Sequence, residues 1–211
     1  MIRRWQDFAH NRAQVAELFV LLFILVLSFK LVPLFMTMIE ARSGVALTDF
    51  LLHKMPRKDV SYPITYLLYV SIGVAIIWLL SYPEKLLVML KTTFLVTSIR
   101  LALIYLFPLE PPVDLITLSD PVLEATVYQS QKITKDLFFS GHTSSMCIMF
   151  LCVGNKYLKV FLGLGTLLLG FLLMVQRIHY SYDIFAAPFA CYACFRIAQH
   201  AWIPEKREIS Y

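Results

Sequence analysis

The chain has 211 residues, of which 59% are hydrophobic and 16% are charged, and its mean hydropathy is +0.69. Soluble domains contain about 45–50% apolar and about 25% charged residues, so this composition excludes an ordinary soluble domain and predicts an integral membrane protein. The net charge of +5 is modest and comes without a basic run. We therefore expect the basic loops to face anionic headgroups, and we expect no nucleic-acid partner.

Six apolar segments are each close to the about 20 residues that a bilayer requires, although the fourth is short. They cover roughly residues 18–39, 62–81, 85–107, 140–154, 157–176 and 181–202. The polar residues 1–16 predict a short interfacial segment, and the proline-rich, acidic residues 108–138 predict a long loop over the site. The fold class predicted is all-α: one polytopic membrane domain, 1–211, with six transmembrane helices in a bundle.

The lysines and arginines divide almost evenly between the two ends of such a bundle, so their count leaves the orientation open. The cluster Arg3, Arg4 and Arg12 favours termini that lie inside. Lys91 lies within the third segment, and we expect its ammonium group to extend to the membrane surface. A bacterial inner membrane and a eukaryotic endomembrane or plasma membrane are both compatible with this sequence.

Two histidines at the mouths of apolar segments indicate the chemistry. His179 and Asp183 are four residues apart, and they share one face if this stretch opens a helix. The carboxylate then fixes the imidazole tautomer and leaves the other ring nitrogen free as a nucleophile. His142 opens the fourth segment, two spans earlier, and therefore emerges on the same side of the membrane. We predict His179 as nucleophile, Asp183 as its orienting carboxylate and His142 as general acid.

Several neighbouring residues are candidates for binding a phosphate group. Ser140 and Gly141 offer backbone N–H groups at a helix N-terminus, which is a natural anion site. Thr143 is interpreted either as a cap of that helix or as a phosphate ligand. Arg100 lies eight residues before Pro108, about 12 Å along a helix. A charge at that depth is either a phosphate ligand or a structural partner.

Aromatic residues beside the histidines, Phe138, Phe139, Tyr180 and Tyr182, suit either a choline cation or the membrane interface. We count Tyr180 among the candidate substrate-binding residues. The carboxylates form no ligand cluster in the sequence, so we expect neither a metal nor a cofactor.

Two stretches resemble elements of a known family. The stretch from Asp136 to Thr143 resembles the G-D-x-x-x-S-G-H-T element of the sphingomyelin synthase branch of the PAP2-type lipid phosphatase and phosphotransferase superfamily. The stretch from His179 to Ile184 resembles the H-Y-(T/S)-x-D-(V/I) element of that branch. Two further stretches, 100–112 and 47–53, resemble family elements loosely. The resemblance implies that residues 136–183 hold the catalytic elements, with Asp136 near the substrate.

What the resemblance implies for function agrees with the roles inferred from the residues. It implies a PAP2-like bundle in which His179 attacks, Asp183 assists and His142 acts as acid and base. The expected activity moves a phospho-headgroup from a phospholipid donor to ceramide or a related lipid alcohol. The oligomeric state is not predicted.

This chain departs from the wider phosphatase pattern in its basic residues. Those enzymes carry K-x(6)-R-P and an arginine six residues before the second histidine, where this chain has Leu173. Lys135 also replaces the glycine before Asp136. A sparse set of cations favours a phosphodiester, with one negative charge, over a phosphomonoester with nearly two. Two alternatives remain open: a PAP2-type lipid phosphate phosphatase, and a transporter or scaffold without catalysis.

Overall fold

The computed structural model describes residues 1–120, 122 and 133–200. These residues form helices and contain no strand, which confirms the all-α prediction. In chain order the helices are α1 (Ile2–His10), α2 (Arg12–Glu40), α3 (Phe50–Lys54), α4 (Ser61–Leu79), α5 (Pro83–Leu106), α6 (Gly141–Cys152), α7 (Lys156–Gln176) and α8 (Ser181–His200).

Helix α6 lies at the centre of the bundle, where it packs against α4, α5, α7 and α8. Its 12 residues extend about 18 Å, far less than the about 30 Å of a hydrocarbon core. Met146, Cys147 and Met149 are all buried, so the longer helices cover much of α6. Because four helices pack around α6, most of the surface of this helix is apolar.

Four helices are long and apolar enough to cross a membrane: α2, α4, α5 and α7. Helix α8 has 20 residues but carries the charged Asp183 and Arg196, and α6 is too short to cross alone. The four helices support an integral membrane protein. The prediction of six spans is not confirmed, although a helix occupies each of the six predicted segments.

Helix α2 packs mainly against α5, and an ion pair joins them. The ammonium group of Lys91 lies 2.8 Å from Glu17 Oε2, and both side chains are largely buried. The expectation that Lys91 extends to the membrane surface is therefore wrong. A charge in an apolar setting is better stabilised by a carboxylate on the adjacent helix than by stretching to water.

Helix α1 lies across the turn between α4 and α5. The indole N–H of Trp5 donates to the carbonyl of Leu80 at 2.8 Å, and the guanidinium of Arg4 stacks on the ring of Tyr82 at 4.1 Å. Phe8 is buried beneath the helix. That residues 1–16, which include α1, lie at the membrane interface stays a prediction.

Two loops cover the junction between α7 and α8. A parallel bridge joins Val45 to Leu109, and a Cβ on Gly44 would lie 2.6 Å from the backbone of Leu109, so this close approach requires glycine. The N–H groups of Lys58 and Ile116 donate to carbonyls at the end of α7, at 3.2 Å each. We call residues 41–60 and 108–120 the covering loops. The predicted loop 108–138 lies partly outside the described residues.

Candidate active site

His179 and Asp183 form a buried pair at the start of α8. Helix α7 ends at Gln176, the next residue, Arg177, reverses the chain with a φ of 59°, and α8 begins at Ser181. Asp183 Oδ2 lies 3.3 Å from His179 Nδ1 and accepts the N–H of Tyr180 at 2.9 Å. His179 is 3% exposed and Asp183 is fully buried. With Nδ1–H held by the carboxylate, Nε2 is the ring nitrogen that remains free to react.

His142, the second residue of α6, faces His179. The two ring centroids are 6.3 Å apart and the ring planes meet at 69°. The structure thus brings together the three predicted catalytic residues, which lie at or just before the starts of two different helices. The N–H of Ser140 also donates to the carbonyl of Asp183 at 3.1 Å, so a backbone hydrogen bond joins the starts of these helices.

Asp120 is a candidate functional residue that sequence reasoning missed. Its Oδ2 lies 3.8 Å from His142 Nε2, which is ion-pair distance and longer than a hydrogen bond. The phenol of Tyr69 donates to Asp120 Oδ1 at 2.8 Å, and the carboxylate is 2% exposed. A second carboxylate–histidine pair therefore lies opposite the first. The acidic composition of the loop was the one sequence feature that pointed to such a residue.

The start of α6 is capped by Ser140. Its hydroxyl accepts the N–H of Thr143 at 3.3 Å and the hydroxyl of Thr143 at 3.1 Å. The capping side chain is therefore Ser140, and Thr143 is its buried partner instead of the cap. The N–H of Ser140 donates to the carbonyl of Asp183, so the prediction that this N–H binds an anion is wrong. The N–H groups of Gly141 and His142, in the first turn of α6, are the ones placed for an anion.

Arg100 lies beside the start of α6. Its guanidinium forms an ion pair with Asp136 and donates through Nε to the carbonyl of Phe139 at 2.6 Å. A Cβ on Gly141 would lie 3.1 Å from the guanidinium carbon, so glycine permits this close packing. Arg100 is thus a structural partner of Asp136 that also lies next to the helix N-terminus where a phosphate ligand was predicted.

Tyr180 holds the covering loops against the start of α8. Its hydroxyl donates to the carbonyl of Glu110 at 3.0 Å and accepts the N–H of Leu47 at 3.2 Å. Burial raises the pKa of the phenol, so Tyr180 stays neutral near neutral pH. These contacts explain its burial, and its predicted contact with substrate stays a prediction.

Asp49 caps α8 from a covering loop, a role that sequence reasoning did not predict, although residues 47–53 loosely resemble a family element. One carboxylate oxygen accepts the N–H of Ser181 at 2.6 Å, and the other accepts the Ser181 hydroxyl and the N–H of Leu52, each at 3.0 Å. Burial alone raises the pKa of Asp49, but these hydrogen bonds outweigh it and hold the pKa below its usual value. The cap fixes the helix that carries Asp183.

A cavity of about 330 Å³ opens from the catalytic end between α2, α4, α5 and α6. Arg100, Asp136, Gly141 and His142 line one part of it. Most of the other lining residues are apolar or carry hydroxyl groups: Leu25, Ser28, Phe29, Val32, Met36, Leu68, Tyr69, Ile72, Thr93, Val96, Thr97, Ser144, Ser145 and Ile148. This distribution suits an amphiphile whose polar group lies at His142 and whose alkyl chain lies among the helices.

No group of three metal-ligating side chains occurs in the part of the chain that the structure describes. That the reaction needs neither a metal nor a cofactor stays a prediction from the sequence.

Residues 135–201 match the family model described as PAP2 superfamily C-terminal. The matched stretch contains Asp136, both histidines and Asp183, and it supports a place in the PAP2 superfamily, whose members are generally phosphoryl-transfer enzymes. No curated protein and no solved structure matches the chain significantly. The sphingomyelin synthase branch is not confirmed by these comparisons.

Proposed function

We propose that this chain is a membrane lipid phosphotransferase of the sphingomyelin or ceramide phosphoethanolamine synthase type. It transfers a phospho-headgroup from a phospholipid to ceramide or a related lipid alcohol through a phosphohistidine. The match to the PAP2 superfamily supports the coarser statement, a phosphatase- or phosphotransferase-type lipid enzyme. The observation that carries the proposal is the buried pair His179–Asp183, which faces His142 beside an amphiphilic cavity.

The first step forms a bond between nitrogen and phosphorus. Nε2 of His179 attacks the phosphorus of the donor phospholipid, and the bond from phosphorus to the diacylglycerol oxygen breaks. His142 gives its proton to that oxygen, so diacylglycerol leaves as a neutral alcohol. Asp183, 3.3 Å from Nδ1, stabilises the positive charge that develops on the imidazole. Asp120, whose Oδ2 lies 3.8 Å from His142 Nε2, is the carboxylate that stabilises His142 while this residue holds the proton.

The second step reverses these roles. His142, now neutral, takes the proton of the acceptor hydroxyl. The acceptor oxygen attacks phosphorus, the bond to Nε2 breaks, and the headgroup lies on the lipid alcohol. His179 returns to its neutral form and His142 to its protonated form, so the enzyme is regenerated without an external reactant.

The charges at the site support a phosphodiester donor. Arg100 is the guanidinium beside the start of α6, and its charge is shared with Asp136. Six residues before His179, where the wider phosphatase pattern has an arginine, this chain has Leu173, which is fully buried and apolar. Such a site offers little net positive charge to a phosphate monoester with nearly two negative charges. One negative charge is matched better by Arg100 together with the first N–H groups of α6.

The burial of the site supports transfer to a lipid over transfer to water. His179 is 3% exposed and the side chain of His142 is 11% exposed. The cavity beside His142 is lined mainly by apolar residues of α2, α4, α5 and α6, which suits a lipid alcohol arriving from the bilayer. A lipid phosphate phosphatase would use the same histidines with water, and a transporter or scaffold would not require the two histidine pairs.

In this proposal the chain is one membrane domain with six spans. Helices α6 and α8 lie in the membrane together with the four helices that are apolar enough to cross it alone. The catalytic elements then lie at one membrane face, with the covering loops above them.

The test is a lipid transfer assay with purified protein in mixed phospholipid liposomes that contain labelled ceramide. We expect a ceramide phospho-headgroup, detected by mass spectrometry, whose headgroup identifies the donor. His179→Ala should abolish the product, because no other residue accepts the phosphoryl group. His53→Ala is the matched control, since His53 is exposed on a covering loop, and it should retain activity. Release of free phospho-headgroup without a ceramide product would contradict transfer and favour the hydrolase, and equal activity of His179→Ala would contradict the mechanism.

A further inference from the structure

The end of the bundle opposite the histidines carries a groove between α6 and α7. It has a volume of about 530 Å³ and is lined by Phe150, Gly154, Lys156, Lys159, Val160, Gly163 and Leu164. We call it the α6–α7 groove. Helix α7 runs 21 residues, about 31 Å, from Lys156 to the end that precedes His179, so this groove is separate from the catalytic site.

The wall of the groove is apolar. A Cβ on Gly163 would lie 3.2 Å from the ring of Phe150, so the absence of a side chain there keeps the groove open above that ring. Val160 and Leu164 are 55% and 64% exposed on the same helix face. Apolar residues in this arrangement on a membrane-crossing helix suit contact with an alkyl chain.

Three lysines lie at the mouth of the groove. Lys156 and Lys159 line it, and the ammonium group of Lys85 lies 2.7 Å from the position of a Cβ on Gly154. Within the described residues none of these three ammonium groups forms an ion pair, whereas Lys91 and Lys135 each lie within 2.9 Å of a glutamate oxygen. The mouth therefore carries positive charge that the described part of the chain does not neutralise.

We propose that the α6–α7 groove binds an anionic phospholipid, with its phosphate among Lys85, Lys156 and Lys159 and one acyl chain along Gly163. Basic pockets between membrane helices are suited to lipid headgroups of this charge. A free phosphate would leave the apolar wall unused. A zwitterionic lipid would bring a cation to the three lysines, so the charge of the mouth selects for an anionic headgroup.

Trp78 supplies a reporter at this site. Its ring lies 5.7 Å from the ammonium group of Lys85, and a ring carbon lies 3.3 Å from the position of a Cβ on Gly154. In full-length protein with Trp5→Phe and Trp202→Phe, the remaining tryptophan fluorescence reports on Trp78. The protein is reconstituted in phosphatidylcholine liposomes with rising fractions of phosphatidylglycerol brominated near the glycerol end of one chain. Brominated phosphatidylcholine is the comparison lipid.

We expect the anionic lipid to quench Trp78 at lower mole fractions than the zwitterionic lipid. Lys156→Gln with Lys159→Gln should lower this preference by about fivefold for each lysine. Lys54→Gln with Lys58→Gln, which removes two exposed lysines at the catalytic end, is the charge-matched control and should leave the preference unchanged. Equal quenching by the two lipids in the parent protein would overturn the proposal.

A second variant tests the groove independently of charge. Gly163→Leu places a side chain in the space above Phe150 and retains all three lysines, and the Cβ of the new side chain would contact the ring of Phe150. We expect it to remove the preference for the anionic lipid as the lysine variants do. An unchanged preference in Gly163→Leu would overturn the site in favour of a diffuse attraction of anionic lipid to a basic membrane face.

Discussion

The exchange of Asp183 for asparagine isolates the charge beside the proposed nucleophile. Asp183 is fully buried, and its Oδ2 receives His179 Nδ1 at 3.3 Å and the N–H of Tyr180 at 2.9 Å. Asparagine has the same shape and still accepts the N–H of Tyr180. The variant Asp183→Asn therefore removes the negative charge that stabilises the imidazolium while it preserves most of the packing.

The expected loss of rate follows from the distance between Asp183 and His179. A hydrogen bond to a charged group contributes about 1.5–3 kcal/mol to stability. Two unit charges 3.3 Å apart attract by about 5 kcal/mol at an effective dielectric constant of about 20. We expect the barrier to phosphohistidine formation to rise by about 3–5 kcal/mol, so the rate should fall by about 100- to 5,000-fold.

The assay is a single-turnover measurement with a phospholipid that carries a radioactive phosphate, quenched in alkaline detergent to preserve phosphohistidine. Phosphoenzyme and released diacylglycerol are measured together, because the first step forms both. Asp114→Asn removes an exposed carboxylate of a covering loop and should leave both rates unchanged. A rate for Asp183→Asn within fivefold of the parent would refute the assignment of Asp183 as the partner of the nucleophile.

Two further predictions concern the contacts that hold α8. Asp49→Ala removes the cap on Ser181 and should lower the free energy of unfolding by about 1–2 kcal/mol, measured as a lower Tm in detergent. Because the folded pKa of Asp49 lies below its unfolded value of about 3.9, its stabilisation is complete above that pH and is lost as the pH falls through the folded value. Tyr180→Phe removes the hydrogen bonds to Leu47 and Glu110 and should cost about 1–3 kcal/mol, with no pH dependence near neutrality.

A specific outcome would contradict each of these two predictions. When the pH is lowered below about 4, the Tm of the parent protein should decrease by more than the Tm of Asp49→Ala. Equal decreases in the two proteins would show that the cap does not depend on the carboxylate charge. For Tyr180→Phe, an unchanged Tm with a raised KM for lipid would favour the predicted contact of Tyr180 with substrate over its role in holding the loops.

The sequence alone predicted the helices because the hydropathy and the length of an apolar segment are local properties. A helix occupies each of the six segments, within a few residues at most ends, and α6 was expected to be short. The pairing of His179 with Asp183 was expected from their four-residue spacing on one helix face, but His179 lies two residues before α8, so the turn into the helix brings the pair together. Both features depend on neighbours along the chain.

Contacts between distant segments were decided by the tertiary structure. Asp120 reaches His142 from a covering loop, Asp49 caps Ser181 from another, and Glu17 pairs with Lys91 across two helices. Periodicity does not encode such partners, because they depend on how whole helices pack and how the loops close over them. The sequence by itself determined an all-helical membrane protein with two histidine elements. Only the packing around the central α6 decided that Asp120 lies beside His142 and where a lipid-sized cavity reaches the histidines.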